Sequence, residues 1–291
     1  MTKIHVVTDS GARFANQRLL QQYPVTVVPY QLEIAGTRYQ EDIDLTPEES
    51  MRLIKSQSKP PTLIAPTEED YVEVYTRLSR VYDGIISIHT SREMTDSWQH
   101  AQRAAQRVSG ECEIVAIDSR SICAGQGMLV RLAGQAALDR LDYEDAVQKV
   151  RDAVDRIYTA FYTDSLEYLY ANGIMSQSRA ILGAMLKIKP ILSVEEGKAM
   201  VIEKVRTRSQ AIDRIIEFLV EFDDIDDAMI VQNRTHITEQ ARQLQDRLSV
   251  EFPGRHFPYT MYGMALSVLF GGDATGVMVL ESEMEAFEND F

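Results

Sequence analysis

The chain has 291 residues, of which 45% are hydrophobic and 25% are charged. This composition excludes a disordered or collagen-like chain, and the length suits two domains or one large one. Asp and Glu total 44 against 30 Lys and Arg, so the formal net charge is −14. Because no cluster of basic residues offsets that charge, we expect no nucleic-acid partner.

The cysteines and the amino terminus indicate the compartment. Cys112 and Cys123 lack the spacing of metal ligands and are too few for a disulfide framework. No apolar run approaches the ~18 residues of a transmembrane helix, and Met1–Thr8 leads into a strand-like pattern without a signal peptide. We therefore expect reduced thiols, no integral membrane segment and a cytoplasmic protein.

The first half of the chain alternates β-branched runs with helix-period segments, which is typical of parallel βα units. In the second run, Pro29 removes a ladder donor and predicts an edge or a break. Thr67 and Asp70 have the spacing of a helix N-cap box. The predicted strands are Ile4–Thr8, Val25–Ile34, Gly84–Thr90 and Glu113–Ile117, and the predicted helices are Pro47–Lys55, Glu68–Tyr82 and two more that end at Val108 and Leu138.

A long amphipathic helix at about Tyr143–Tyr158 is predicted to link this half to a second one. There, two strands meet across Glu196-Gly197, and such a hairpin requires an antiparallel pair. We therefore predict an α/β protein of two domains. Residues 1–158 form a mainly parallel, Rossmann-like sheet, and residues 159–291 form a mixed-sheet α/β domain with an acidic tail.

In the second domain the predicted strands are Thr159–Thr163, Ile188–Val194, Ala199–Val205, Ala228–Gln232, Phe257–Met261 and Gly276–Leu280. The predicted helices are Gln177–Leu186, Gln210–Phe222 and Glu239–Leu248. In the tail Glu281–Phe291, the apolar residues Met284, Phe287 and Phe291 lie roughly on one helical face, which favours a docked helix over a partner-binding segment.

Familiar catalytic motifs are absent from the sequence. There is no P-loop, no Gly-x-Gly-x-x-Gly and no Gly-x-Ser-x-Gly elbow, and no pair of histidines has the spacing of a zinc site. His89 lies within an apolar strand and is interpreted as a packing residue. An enzyme that uses Asp9 and nearby hydroxyls on a small phosphate ester is the weakest of the functional hypotheses.

The remaining polar signal is a group of hydroxyls close to the predicted carboxyl ends of the strands, where open α/β sheets bind ligands. A helix start preceded by hydroxyls is an anion site, because free backbone N–H groups and the helix dipole both favour negative charge. A plain N-cap role for Thr95 is the alternative. With no general base nearby, these hydroxyls suit holding a ligand better than attacking one. They are Ser10, Thr62, Ser91, Thr95 and Ser97.

Several longer motifs resemble the DegV family in their order and spacing along the whole chain. They are VVTDSG at Val6–Gly11, VVPYQLEIAGTRYQEDIDLTPEE at Val27–Glu49, AIDSRSICAGQG at Ala116–Gly127, LEYLYANG at Leu166–Gly173, LKIKPILSVEEGK at Leu186–Lys198 and EKVRTR at Glu203–Arg208. The DegV family comprises bacterial two-domain proteins that bind a long-chain fatty acid between their domains. Some serve as the acyl-carrying subunit of a fatty acid kinase. The resemblance therefore implies a ligand tunnel between the two domains.

The chain departs from the family at four motifs around the lipid head group. A Thr-Ser pair before a proline is here Leu63-Ile64, and a Ser-Gly-Thr is here Thr95-Asp96-Ser97. The arginine of a Gly-Arg-Ile is here Ile174, and the histidine of a His-x-Gly-Pro-Gly is here Leu269. The mouth of the tunnel is thus expected to be more apolar and less favourable to anions, with Arg92 or Arg120 as candidates to compensate.

These observations predict a non-catalytic carrier of a long-chain fatty acid or similar lipid, with no metal or cofactor. The alternative is a divergent DegV paralogue with a neutral or structural lipid and a regulatory or interaction role. A fatty acid kinase partner is doubtful because of Ile174 and Leu269. The head group is assigned to Thr95, Ser97, the backbone N–H groups of Asp96 and Ser97, then Thr62, Ser91 and Ser10, and the mouth to Ile64, Ile174, Met175 and Leu269.

Overall fold

The computed structural model describes residues 2–16, 18–57, 60–108 and 110–283. Its strands are β1 (Ile4–Asp9), β2 (Val25–Val28), β3 (Gln31–Ile34), β4 (Thr37–Gln40), β5 (Thr62–Ile64), β6 (Gly84–His89), β7 (Glu113–Asp118), β8 (Ile157–Tyr162), β9 (Lys189–Glu195), β10 (Lys198–Val205), β11 (Ile225–Gln232), β12 (Tyr259–Met261) and β13 (Thr275–Glu281). Its helices are α1 (Leu19–Gln22), α2 (Pro47–Lys55), α3 (Glu68–Leu78), α4 (Ser97–Arg107), α5 (Cys123–Leu138), α6 (Tyr143–Val154), α7 (Leu166–Ala171), α8 (Gln177–Met185), α9 (Arg208–Leu219), α10 (Glu239–Glu251) and α11 (Met264–Phe270).

The first sheet is parallel throughout, in the order β2-β1-β6-β7. Strands β1 and β6 are buried along their whole length, which explains their unbroken apolar and β-branched sequences. Helices α3 and α4 pack on one face, and α5 and α6 on the other. The predicted Rossmann-like sheet is therefore confirmed, and so is the N-cap box of Thr67 and Asp70.

Pro29 separates β2 from β3, as the sequence predicts. Strand β2 is an edge of the parallel sheet, whereas β3 is the centre of a small antiparallel sheet with the order β4-β3-β5. Strands β4 and β5 were not expected, because each is only three or four residues long and largely exposed or half-buried. This sheet, with α2 and α11, covers one end of the molecule.

The second half forms a mixed sheet in the order β10-β9-β8-β13-β11-β12. Strands β9 and β10 form the predicted antiparallel hairpin, and α9 and α10 cover the outer face. Helix α6 ends at Val154 and β8 begins at Ile157, so the helix is shorter than expected and the strand crosses the boundary predicted after residue 158. That boundary stays a prediction.

The two large sheets share one apolar core that is centred on α5. One continuous cluster of buried side chains includes Ile86 of β6, Leu129 of α5 and Met278 of β13. Because α5 is covered on both sides, its sequence is apolar almost throughout. A second connection between the two halves is ionic, since the buried Glu41 pairs with Arg13 and accepts the backbone N–H of Met264.

The carboxyl-terminal strand ends beside Arg156, which pairs with Glu283. The predicted docked helix with Met284, Phe287 and Phe291 lies outside the described residues. Within the described part of the chain, no helix combines the length and apolar character needed to cross a bilayer.

Candidate functional site

A pocket of about 280 Å³ lies where the two halves of the chain meet. The loop after β6 supplies one wall, and the loop after α7, the start of β10 and the end of α11 supply the rest. The pocket therefore draws on segments far apart in sequence. Its lining residues are Glu93, Met94, Asn172, Gly173, Ile174, Lys198, Ala199, Leu269 and Phe270.

The apolar wall continues directly into the shared core. Leu269 and Phe270 belong to the core cluster, and Ile174 and Met94 pack against it. Met175 is buried behind this wall at 8% exposure rather than lining the pocket itself. The structure thus places Ile174 and Leu269, two of the residues assigned to the mouth, in the lining of one pocket.

Asn172 holds two parts of this wall in place. Its side-chain amide donates to the backbone carbonyls of Tyr168, Val268 and Leu269, at 2.9, 2.9 and 3.2 Å. These bonds tie the end of α7 to the last turn of α11. The position of Leu269 at the mouth therefore depends on a polar side chain beside it.

One cation lines the pocket, and it is Lys198 at the start of β10. Its Nζ lies 3.4 Å from Oε2 of Glu93 on the opposite wall, and 65% of its side chain is exposed. The two arginines considered as compensating charges are already in ion pairs, Arg92 with Asp118 and with Glu93 of the pocket wall, and Arg120 with Asp155 and Glu196. Neither of them lines the pocket.

The β9–β10 hairpin is fastened to the parallel sheet by Ser91. The Ser91 hydroxyl donates to the carbonyl of Gly197 at 2.8 Å and accepts the backbone N–H of Glu93 at 3.2 Å. Both Glu196 and Gly197 have positive φ angles, as a tight two-residue hairpin turn requires. Ser91 therefore fixes the hairpin next to the pocket instead of offering a free hydroxyl to a ligand.

Thr95 is half-buried and directly follows Met94 of the pocket wall. Its hydroxyl lies 2.7 Å from the hydroxyl of Tyr30 and accepts a long bond from the backbone N–H of Ser97 at 3.4 Å. Tyr30 is fully buried, and burial together with the charge of Asp9 raises its pKa well above the usual value. The neutral phenol of Tyr30 thus holds the Thr95 hydroxyl in place through this hydrogen bond.

Ser97 belongs to a buried network around Asp9. The Asp9 carboxylate accepts hydrogen bonds from Ser97, His89, Gln126, Gly11 and Thr90, the last through both its backbone and its hydroxyl, over 2.6–3.2 Å. Burial opposes ionisation of Asp9, but the bonds and charge of His89 and the bonds of Ser97 and Gln126 hold its pKa below the usual value.

Ser87, His89 and Asp9 have the connectivity of a catalytic triad, with Ser87 Oγ 2.6 Å from His89 Nε2 and His89 Nδ1 3.2 Å from Asp9. All three side chains are fully buried, and the Tyr75 hydroxyl donates to Ser87. A nucleophile without access to substrate cannot react. The prediction that His89 is a packing residue therefore agrees with its surroundings.

The other predicted site residues lie away from the pocket. Ser10 donates to Glu41 at 2.6 Å within the buried ionic connection. Thr62 is exposed on β5, and Ile64 is half-buried on the same short strand. Asp96 is exposed at the start of α4, and its side chain caps no backbone N–H. Among the described residues, no group of three or more His, Cys, Asp or Glu could hold a metal ion.

Comparison with known proteins identifies the family. The model of the DegV family, described as "Uncharacterised protein, DegV family", matches residues 3–282. The chain belongs to the DegV family. A DegV domain-containing protein of Caldanaerobacter subterraneus is 31% identical over 97% of this chain and 100% of that protein.

Solved DegV structures share the fold. DegV of Bacillus subtilis, described as a fatty acid binding protein, superposes with a TM-score of 0.84 at 27% identity, over 97% of this chain and 100% of that one. A DegV family protein of Streptococcus agalactiae has a TM-score of 0.87 at 24% identity, with the same coverage of both chains. The expected family and its α/β fold are therefore confirmed.

Three residues that line the pocket were not predicted from the sequence, namely Lys198, Asn172 and Met94. Lys198 and Asn172 both occur in motifs that carry the family resemblance, EEGK and YANG, but those motifs do not indicate which side chains face the pocket. The signal that was available for Lys198 is the hairpin turn just before it. Because this turn contacts the first half of the chain, the residue that follows it lies where the two halves meet.

Proposed function

We propose that this protein binds a long-chain fatty acid between its two halves and carries it without chemical change, as a lipid carrier of the cytoplasm. The observation that carries the proposal is the pocket itself, which has a cation at its mouth and an apolar wall that merges with the core. A fatty acid has the matching pattern of one charge and a long apolar chain. Support also comes from the Bacillus subtilis relative, which is described as a fatty acid binding protein.

The carboxylate of the ligand is assigned to Lys198 and the Thr95 hydroxyl. Lys198 reaches the pocket from β10, and Thr95 stands next to the opposite wall. Each buried methylene stabilises the complex by ~0.8 kcal/mol, so about ten of them exceed the ~1.5–3 kcal/mol of one charge-assisted hydrogen bond. Apolar burial therefore supplies most of the affinity, and the polar groups set the orientation.

The same mouth is poorly equipped to present an acyl group to a kinase. Phosphoryl transfer needs positive charge where anionic charge accumulates, and Ile174 and Leu269 offer neither a charge nor a donor. Lys198, the cation of the pocket, is already paired with Glu93. We therefore infer weak acyl-phosphate formation with a fatty acid kinase, and a gain in the double variant Ile174→Arg, Leu269→His. Strong acyl-phosphate formation by the unaltered protein would contradict this inference.

A neutral lipid in a regulatory or structural role is the second candidate function. The Glu93–Lys198 ion pair favours it, because a mouth whose cation is already neutralised has less need of an anionic ligand. The two candidates differ in whether the ligand carries a carboxylate, and they are separated by the same experiment.

That experiment begins with denaturing extraction of the purified protein and mass spectrometry of the extract. A stoichiometric fatty acid supports the first candidate, and a neutral lipid supports the second. Lys198→Met is then expected to weaken fatty-acid binding about three- to tenfold while leaving the matched fatty alcohol unchanged. Lys204→Met, on the same strand and also exposed, is the control. An extract without lipid, together with no displaceable fluorescent fatty acid, would overturn the proposal.

A further inference from the structure

A second cavity, of about 640 Å³, lies between α2 and the loop after β11. It shares no lining residue with the pocket between the halves. Its size is within the range of small-molecule sites. We call it the α2 groove, and its lining residues are Glu48, Met51, Arg52, Lys55, Ser56, Asn233, Arg234 and Met261.

The α2 groove carries net positive charge, whereas the chain as a whole is net negative. Arg52, Lys55 and Arg234 line it, and none of the three has a described carboxylate within ion-pair distance. Arg52 and Lys55 are three residues apart on α2, so they lie on one face of the helix. Glu48 is the single carboxylate among the lining residues. A net positive groove in a chain of net charge −14 is a local concentration of unneutralised cations.

The electrostatic environment of Lys55 also indicates that positive charge accumulates in the groove. Burial lowers the pKa of Lys55, and the positive charge of Arg234 lowers it further, although Asp273 acts in the opposite direction. An ammonium group that is partly desolvated beside another cation is stabilised in its charged form when an anion binds next to it. Lys55 and Arg234 are therefore close enough for their charges to interact.

The floor of the groove is apolar and fixed. Met51 is buried at 5% exposure against the core, and Met261 contributes a second thioether. The Asn233 amide donates to the carbonyl of Gly272 at 2.8 Å, which holds the loop that carries Arg234. Methionine side chains adapt to the shape of an apolar or planar group.

We propose that the α2 groove binds a small organic phosphate, with its phosphate groups on Lys55, Arg52 and Arg234 and its apolar part over Met51 and Met261. Guanidinium groups bind phosphate oxygens in pairs, and an ammonium group adds a point charge. A concave site of this volume suits a small molecule better than a flat membrane or a protein surface.

Titration calorimetry of the full chain with pyrophosphate and with ADP tests the proposal. We expect saturable binding of both that weakens as salt is raised, because the cations are exposed to solvent. Lys55→Gln and Arg234→Gln are each expected to weaken binding about tenfold or more. Arg103→Gln removes an exposed cation on α4 that does not line the groove, and it is expected to leave binding unchanged.

The two probes also distinguish binding of the phosphate groups from binding of the apolar part of the ligand. ADP binding more tightly than pyrophosphate assigns a contribution to the methionine floor, and equal affinities assign the binding to phosphate alone. No saturable binding of either probe, or binding that the Lys55 and Arg234 variants retain, would overturn the proposal. Binding to vesicles of phosphatidylglycerol without binding of pyrophosphate or ADP would overturn it as well. Fluorescent fatty-acid displacement and the melting temperature, which we expect to be unchanged, check that the variants remain folded.

Discussion

Asp9 is a buried carboxylate whose oxygens are fully occupied by donors from three other segments of the chain. Its donors are His89 and Thr90 at the end of β6, Ser97 at the start of α4 and Gln126 of α5, together with Gly11 of its own loop. Such a group fixes the ends of β1 and β6 and the start of α4 relative to one another. A charge that many donors satisfy is costly to neutralise, because each donor loses a strong acceptor.

Replacing Asp9 with Asn is therefore expected to lower the free energy of unfolding by about 2–4 kcal/mol, since an amide group turns one acceptor into a donor that faces other donors. Urea denaturation measures the change. Asp96→Asn makes the same substitution at an exposed side chain that caps no helix N–H, and it is expected to change stability by less than about 0.5 kcal/mol. Equal effects of the two variants would contradict the structural role of Asp9.

The lowered pKa of His5 predicts how the stability of the protein depends on pH. Burial, and then the charge of Arg77, lowers the pKa of His5 from 6.5 to about 4, so the ring stays neutral in the folded protein over that range. The unfolded chain takes up a proton below about 6.5, so protons favour unfolding between pH 6.5 and 4. Stability is expected to fall by about 1–2 kcal/mol as pH decreases through this window. His5→Gln should flatten that part of the profile, whereas His256→Gln, at an exposed histidine, should not.

Thr95 and Thr62 were both assigned to the head group, and their positions differ. Thr95 stands beside the pocket on the hydroxyl of Tyr30, whereas Thr62 is exposed on β5. Thr95→Val keeps the shape and removes the hydroxyl, so we expect fatty-acid affinity to fall about five- to thirtyfold. Thr62→Val is expected to have no effect. Fluorescent fatty-acid displacement measures both, and the reverse order of effects would transfer the head group to Thr62.

Among the elements, the β9–β10 hairpin is the one that we expect to control access to the pocket. Its turn contacts Ser91, and Lys198, the first residue of β10 after the turn, lines the pocket. A change that moves the turn is therefore expected to change access to the pocket rather than the shape of either sheet.

Gly197→Ala tests that expectation. A Cβ at Gly197 would lie 2.4 Å from Ser91 Oγ and is added at a φ of +80°, so it must displace the turn. Gly36 has the same φ of +80° with nothing within 4 Å, so Gly36→Ala adds the backbone strain alone. We expect Gly197→Ala to release bound fatty acid faster than Gly36→Ala in stopped-flow exchange. Equal rates would mean that the hairpin does not close the mouth.

Elements were predictable from the sequence where local signals and tertiary packing agree. Helix α2 has the predicted bounds, Pro47–Lys55, and in the structure Pro47 and the Thr46–Glu49 capping box mark its start. Helix α11 was not predicted, because all of its residues are buried and show no helical period. In the same way, the hydroxyl of Ser97 could be located at a helix start, but its direction toward Asp9 depends on strands far away in the chain.

At the scale of the whole molecule, the shared core predicts a single unfolding transition. Trp98 is the only tryptophan, and its indole N–H donates to the carbonyl of Ala116 within the parallel half. The far-UV circular dichroism signal reports on both sheets. Because α5 packs against both, we expect the Trp98 fluorescence and circular dichroism curves in urea to coincide. A second circular dichroism step without a change at Trp98 would show two independent units.

The position of β13 has a consequence for the order of events during protein synthesis. The parallel sheet is complete once β7 has been made, so it can form while the rest of the chain is still on the ribosome. The mixed sheet cannot, because β13, the last strand of the described residues, lies between β8 and β11. Until that strand emerges, two strand edges stay open to pairing with other chains. The nascent protein therefore carries a complete parallel sheet while its mixed sheet still lacks β13.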